Sequence, residues 1–213
     1  MKSDASGKSL MKPLIHLKPI VSDIGTEILI LDELPSTMDY AVDLVKKGTL
    51  PWTAVIARKQ SSGRGTHGRL WFSHESKGLW TSVIIPPPSE VSVLEDLSVA
   101  TAKCLVECLK KMTGFEFNVK NPNDVVINGL KIAGILFESV TLNGEMNYLI
   151  LGMGVNLNQN KSDFTENELH EASSIYLETG INIDSDELLI EFLTIFRAFY
   201  EQNILFTSNH TVL

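Results

Sequence analysis

Two Asn-Gly dipeptides constrain this chain more than any other feature. Asn128-Gly129 separates DVVI from LKIAGILFES, and Asn143-Gly144 separates that run from EMNYLILGMGVNL. Asn-Gly between β-rich runs is a strong hairpin signal, because both residues tolerate the positive φ of a type I′ turn. Two such turns in succession predict an antiparallel meander. FEFNVK (115–120) reads as a strand leading into it. EILILDEL (27–34), TAVIARKQ (53–60) and GLWTSVII (78–85) read as strands too, the last stopped by three prolines. Pro35 and Ser36 open a helix through about Lys47, with Ser36 and Asp39 in the S-x-x-[DE] capping pattern. A second helix spans roughly 90–112. A third spans 186–206, where Leu188, Leu189, Phe192, Leu193, Phe196, Phe199 and Tyr200 recur at helical spacing. The expectation is an α+β fold: a mixed, largely antiparallel sheet flanked by helices. Residues 1–25 read as a disordered or extended leader, 26–207 as one domain and 208–213 as a tail.

The 213 residues suffice for one large domain with a sizeable core. No apolar run approaches the roughly 18 residues that span a bilayer, and the N-terminus has no apolar h-region. Cys104 and Cys108 stand four apart on the apolar face of the second predicted helix, which predicts two buried thiols. No further Cys completes a zinc set. Nothing argues for an oxidising compartment, so a cytoplasmic protein without a membrane segment is expected. The net charge of −8 argues against a generic nucleic-acid surface. That charge is uneven. From Leu44 to His74 there is no Asp or Glu, while Lys46, Lys47, Arg58, Lys59, Arg64 and Arg69 fall in that stretch. An acid-free, cationic, glycine-rich patch in an acidic chain suits a small anion, and a solvated basic face is the plainer alternative.

SGRGTHGR (62–69) contains a literal G-x-G-x-x-G and nearly contains a P-loop. Both phosphate-binding readings need a helix after the last glycine. RLWFSHESKGLW follows instead, leading to another strand, and the P-loop Lys and Ser/Thr are Arg69 and Leu70. What survives is a loop between two strands. It carries two guanidinium forks suited to phosphate or carboxylate, glycines that let backbone approach a ligand, and Trp71 with a flat face for a ring.

QSSGRGTHGRLWFS (60–73) resembles the glycine-rich signature of the biotin protein ligases, GRGxxGRxW. LPSTMDYA (34–41) is similar to that family's STN helix entry. KNPNDVVINGLKIAGILFES (120–139) is similar to its K-W-P-N-D…G-x-K-x-x-G-I-L-x-E block, and LGMGVNLN (151–158) to its G-x-G-x-N segment. The four segments agree in order and spacing over residues 28–200. The resemblance implies the biotin/lipoate ligase catalytic domain, of class II synthetase type. It implies joining of biotin's carboxylate to AMP from MgATP, then transfer to one lysine of a biotin carboxyl carrier protein or domain. ATP and Mg²⁺ are the implied cofactors. Biotin, ATP and the carrier are the implied partners, with no nucleic acid or membrane. A homodimer is compatible with the chain.

The resemblance also implies roles. Lys131 and Arg64 are the expected catalytic residues, Lys131 holding the biotin carboxylate and the α-phosphate as charge shifts between them. Strand alternation places Lys131 on one face with Ala133, Ile135 and Phe137. Biotin and the adenylate are expected at Ser36, Thr37, Gln60, Gly63, Arg64, Gly65, Thr66, Lys131 and Gly134. Nucleotide is expected at Arg69, Trp71, Asn123 and Asn156, and magnesium at Asp124. Ser36 also reads as a plain helix cap, and Asn156 as a strand-end turn residue.

The chain departs from the pattern at Asn121 (usually Trp), Met38 (usually Asn), His74 (commonly Pro) and the loop centre Thr66-His67, where many members carry Arg. Before residue 27 there is no room for a helix-turn-helix module, and no C-terminal β-domain is expected. Lipoate protein ligases share the chemistry but resemble R-R-x-S-G-G-G-x-V-Y-H-D at the loop. Octanoyltransferases use a cysteine nucleophile, for which two buried thiols are poor candidates. A non-catalytic biotin- or nucleotide-binding paralogue is the alternative of another class. Because one loop cation is absent, the adenylate is expected to leave faster than from a Thr66→Arg variant; equal release rates in a filter-binding chase would reject this.

Overall fold

The computed structural model describes residues 15–18, 25–73, 76–88 and 93–205. The rest of the leader, and the tail from residue 206 on, lie outside the described residues. The strands in chain order are β1 (Ile15–Lys18), β2 (Glu27–Leu34), β3 (Thr53–Gln60), β4 (Gly78–Ile85), β5 (Asn118–Lys120), β6 (Asp124–Ile127), β7 (Leu130–Leu142) and β8 (Glu145–Asn156). The helices are α1 (Thr37–Lys46), α2 (Leu94–Thr113), α3 (Lys161–Thr165), α4 (Ile175–Thr179) and α5 (Ser185–Tyr200). One eight-stranded sheet runs β1-β2-β3-β4-β8-β7-β6-β5. Only β2 and β3, joined through α1, pair parallel; the other neighbours are antiparallel.

The Asn-Gly turns do what their chemistry requires. Asn128 and Gly129 have φ of 53° and 82°, and Asn143 and Gly144 have 55° and 86°. Each pair closes a two-residue hairpin, so β6, β7 and β8 form the predicted meander. β2 is buried on both faces, as its near-continuous apolar run implies. Ile28 and Ile30 join the main core under α2 and α5, while Leu29 and Leu31 face the α1 side. On that side Met38, Ala41 and Val45 of α1 pack on Ile84, Val140 and Ile150 of the sheet. Opposite, Phe192 of α5 stacks on Phe196, Tyr200 meets Phe196 at a tilt, and Phe196 and Tyr200 both meet Trp52 edge-on.

The structure corrects three expectations. FEFNVK is a strand only from Asn118, because α2 runs to Thr113 and the chain turns through left-handed Gly114 before it can pair. Ser36 holds the N-cap position of α1 but makes no side-chain capping bond. Lys131 does not share a face with Ala133, Ile135 and Phe137. The β6–β7 register slips between Val125 and Val126, so Val125 faces Ala133 while Val126 faces Lys131. This bulge turns Lys131 to the side of Gly134 and leaves Ala133 and Ile135 in the core. The short helices α3 and α4 fall in a segment to which the sequence pattern assigned nothing.

Cys104 and Cys108 lie in the main core on α2, as their spacing predicts. Burial pushes their pKa values up from the ordinary 9.0 to about 11 and about 12, with Glu107 and Glu191 respectively adding to the rise. A thiol whose pKa is raised by folding binds its proton more tightly in the fold than in the unfolded chain. That stabilisation is complete below pH 9 and is lost as pH climbs through 11 to 12. Both thiols are therefore expected to resist iodoacetamide at pH 8 until urea unfolds the chain, and the urea midpoint to fall with pH above 9; rapid native labelling would contradict the placement.

Candidate active site

The site is built on a glycine floor. β7 and β8 place Gly134 and Gly154 opposite one another. The Trp71 indole lies against both: a Cβ on Gly154 would stand 2.5 Å from Trp71 Cε2, and one on Gly134 2.8 Å from Cζ3. No other residue type fits beneath the ring. Trp80 of β4 meets it edge-on, with centroids 6.4 Å apart. Above it stands Lys131, whose Nζ is 5.2 Å from the indole centroid and 2.6 Å from Asp124 Oδ1 of β6. A cation over an indole gains about 0.5–2 kcal/mol, more as it is desolvated. The Lys131 backbone is fixed as well. Its N–H donates to the Glu171 carbonyl at 2.9 Å, and its carbonyl accepts from Ser173 N–H at 2.9 Å.

The opposite wall comes from the β3 end and the α1 start. Gln60 Oε1 accepts from the Thr37 N–H at 2.8 Å and from its hydroxyl at 3.2 Å. Ser82 of β4 donates to Thr37 Oγ1 at 2.8 Å, and Gln60 Nε2 donates to Ser73 Oγ at 3.0 Å. These groups are buried, so each hydrogen bond fixes the next. Gln60 keeps a second Nε2 hydrogen for a ligand. Ser36 Oγ is buried nearby in sequence without a partner, and so is Trp71 Nε1. A buried donor left unpaired costs about 1–3 kcal/mol, which a bound acceptor would recover.

The glycine loop is a small hairpin. Gly65 N–H donates to the Arg69 carbonyl and Trp71 N–H to the Gly63 carbonyl, each at 2.8 Å. Gly63 has no room for a side chain: a Cβ would meet the Trp71 carbonyl oxygen at 2.4 Å. The tip turns through Thr66–Gly68, with His67 and Gly68 at φ of 56° and 71°. Arg64 reaches back to Glu138 of β7, Nη2 to Oε2 2.5 Å, and to Asp39 of α1 at 3.4 Å. Arg69 Nη2 donates to Thr66 Oγ1 at 2.9 Å.

These parts meet in one cleft. Thr37, Gln60, Arg64, Gly65, Thr66, Trp71, Asn123, Lys131 and Gly134 all line it. Ser36 and Gly63 do not; Gly63 supports the loop from behind. Arg69 and Asp124 line the adjoining depression, with Lys120, Lys131 and His170. Asn156 opens onto a groove beside Trp71, Arg69 and Lys131, and donates through Nδ2 to the Ser173 carbonyl at 3.0 Å. Asn123 Nδ2 donates to the Ile135 carbonyl at 2.8 Å. Sequence reasoning missed Ser73, Ser82 and Glu138. Glu138 stands in the quoted block, but nothing local marks it as a partner for a residue 74 positions earlier.

Residues 31–156 match the model of the biotin/lipoate A/B protein ligase family. The chain belongs to that family. Among its relatives, the bifunctional ligase/repressor BirA of Bacillus subtilis is 32% identical over 177 residues, which are 83% of this chain and 54% of that protein. The biotin–[acetyl-CoA-carboxylase] ligase of Paracoccus denitrificans is 33% identical over 138 residues, 63% of this chain and 57% of that one. This member thus spans little more than half the length of such relatives. A biotin protein ligase from Aquifex aeolicus in complex with biotin and ATP superposes with a TM-score of 0.71 at 29% identity, covering 83% of this chain and 72% of that one. The fold expected from the resemblance is therefore the fold found.

Because the indole rests on glycine, Gly154→Ala is expected to displace Trp71 and the ammonium above it. The near-UV circular dichroism of the aromatic band should change while the far-UV spectrum holds. An unchanged near-UV spectrum would show that the ring does not depend on this floor.

Proposed function

We propose that this chain is the catalytic unit of a biotin protein ligase, joining biotin to AMP and then to a carrier lysine. The observation that carries the reading is the meeting of Gln60, Arg64 and Lys131, from three distant parts of the sequence, in one cleft. The first step brings a carboxylate to an α-phosphate, two anions that repel. Lys131 and Arg64 offset that repulsion and stabilise charge on the phosphoryl oxygens in the transition state. A carboxylate oxygen attacks phosphorus, and the bond to the bridging oxygen of pyrophosphate breaks. In the second step the carrier lysine amine attacks the carbonyl carbon and AMP leaves.

The pairing of Lys131 with Asp124 suits this order. An ammonium neutralised at 2.6 Å can stand on an indole at little cost until a substrate anion competes for it. Asp124 is then free for the nucleotide's magnesium. Among the described residues no group of three or more His, Cys, Asp or Glu could hold a resident metal. An ion that arrives on ATP oxygens needs only one or two protein carboxylates, so Asp124 fits it, and the ion would supply charge neutralisation at the phosphates. Gln60, through its remaining amide hydrogen, and Thr37 would read a polar ring such as the ureido group of biotin. Arg69, Trp71, Asn123 and Asn156 would face the nucleotide. The carrier is proposed to be a biotin carboxyl carrier protein or domain. A cytoplasmic setting is proposed on the two free, buried thiols.

Biotin-dependent ATP–pyrophosphate exchange tests the reading. Biotin should support exchange, and lipoate and octanoate should not. Lys131→Ala should lower exchange by on the order of 10²–10³-fold with an unchanged melting temperature. Exchange that prefers lipoate or octanoate, or that survives the loss of Lys131, would overturn it.

A further inference from the structure

Main-chain bonds anchor the base of the glycine loop, where Ser61 and Ser62 N–H donate to the Leu34 and Pro35 carbonyls at 3.0 and 2.8 Å, but beyond that base they set shape alone. Gly65 to Arg69, Trp71 to Gly63 and the Arg64–Leu70 bridge all close within the loop. The returning arm is seated on the sheet by Trp71, and Arg64 ties the outgoing arm to the body. Arg64 Nη2 lies 2.5 Å from Glu138 Oε2 on β7 and 3.4 Å from Asp39 Oδ1 in the first turn of α1. Those two elements carry opposite walls of the cleft: α1 brings Thr37 and Met38, and β7 brings Lys131 and Gly134. We propose that Glu138, seconded by Asp39, is a positioning residue that straps the glycine loop across the cleft through Arg64 and so sets how long a bound acyl-adenylate is retained. The inference rests on the ligase reading for its ligand, though not for its geometry.

Charge supports the assignment. A carboxylate beside an anion site repels the ligand unless a cation neutralises it. Glu138 and Asp39 are tolerable at this mouth because Arg64 lies between them. Glu138 is the stronger partner, being nearer and less exposed: its side chain is 34% accessible against 57% for Asp39. Removing Arg64 therefore does two things. It frees the loop, and it leaves two bare carboxylates facing the incoming anion. Removing Glu138 as well should relieve part of the second effect.

Hydrogen exchange on the free protein reads the strap without any ligand. Glu138→Gln should speed exchange of the Gly65 and Trp71 amides by about fivefold, the scale of a partly exposed ion pair, with Asp39→Asn doing less and Glu138→Asp restoring part of the protection. The dissociation rate of biotinyl-adenylate should rise in the same order. Arg64→Ala should match or exceed Glu138→Gln, and the double variant should release adenylate no faster than Arg64→Ala alone. Loop exchange and adenylate release that stay at the wild-type rate in Glu138→Gln, or strictly multiplicative effects in the double variant, would overturn the proposal. A wild-type chain that makes no biotinyl-adenylate would sink the ligase reading instead, and the exchange measurement would still decide the strap. If Glu138→Gln fails to fold, Asp39→Asn carries the same comparison.

Discussion

The site depends on one contact: a tryptophan ring laid on two facing glycines. Gly134 and Gly154 are cross-strand partners, and the indole occupies the space their side chains would need. Trp71 fills it and brings the glycine loop with it, since Trp71 N–H closes the loop on Gly63. The filled recess then forms a platform for Lys131. Sheet, loop and ammonium are thus registered through one side chain. The cost of such a recess is small here, because β7 and β8 are the longest strands and pair along most of their length. A glycine pair that would weaken a short edge strand is absorbed in the middle of the sheet.

The second constraint is electrostatic. The chain is acidic overall, yet the cleft gathers Arg64 and Lys131 and the adjoining depression gathers Arg69 and Lys120. Cations that close together would repel if each stood alone. Lys131 is paired with Asp124, and Arg64 with Glu138 and Asp39. The ligand-free cleft is therefore near neutrality and need not be held open against its own charge. An anion in this cleft would displace Asp124 from Lys131 rather than meet a bare cation, while Arg64 keeps its pair with Glu138. That exchange limits affinity for any single anion and favours a ligand that offers several negative oxygens at once.

Much of this was legible in the sequence, for identifiable reasons. Asn128-Gly129 and Asn143-Gly144 left the chain little choice of turn, and the strands 27–34, 53–60 and 78–85 were bounded by Pro or Gly and came out with those limits. The acid-free stretch raised an anion site as one reading beside a solvated basic face, and in the fold Arg64 and Arg69 line the cleft and the adjoining depression. Hidden from the sequence were the features made by tertiary contact. The bulge that turns Lys131 away from Ala133 accompanies a bridge from Lys131 to Ala172, beyond the end of β8, and no local pattern encodes that pairing. Helices of a single turn, such as α3 and α4, carry too few residues to show a period. Ser36 shows the opposite error. The capping pattern was present, but its hydroxyl is buried without a partner instead of turning to the backbone.

Thr66 shows why a departure from a family pattern is a change of network rather than a deletion. Read alone, it removes a cation from the loop. In the fold its hydroxyl accepts from Arg69 Nη2, while its carbonyl accepts from Arg69 Nε at 3.3 Å, so the remaining cation is folded back onto the loop tip. An arginine at position 66 would add one charge and release the other from that hydroxyl. The two guanidinium groups would then share a short turn whose tip already holds His67 at positive φ. Part of the attraction gained for a phosphate would be spent on their mutual repulsion whenever the phosphate is absent. With threonine the hairpin instead folds Arg69 back onto its own tip through two exposed hydrogen bonds.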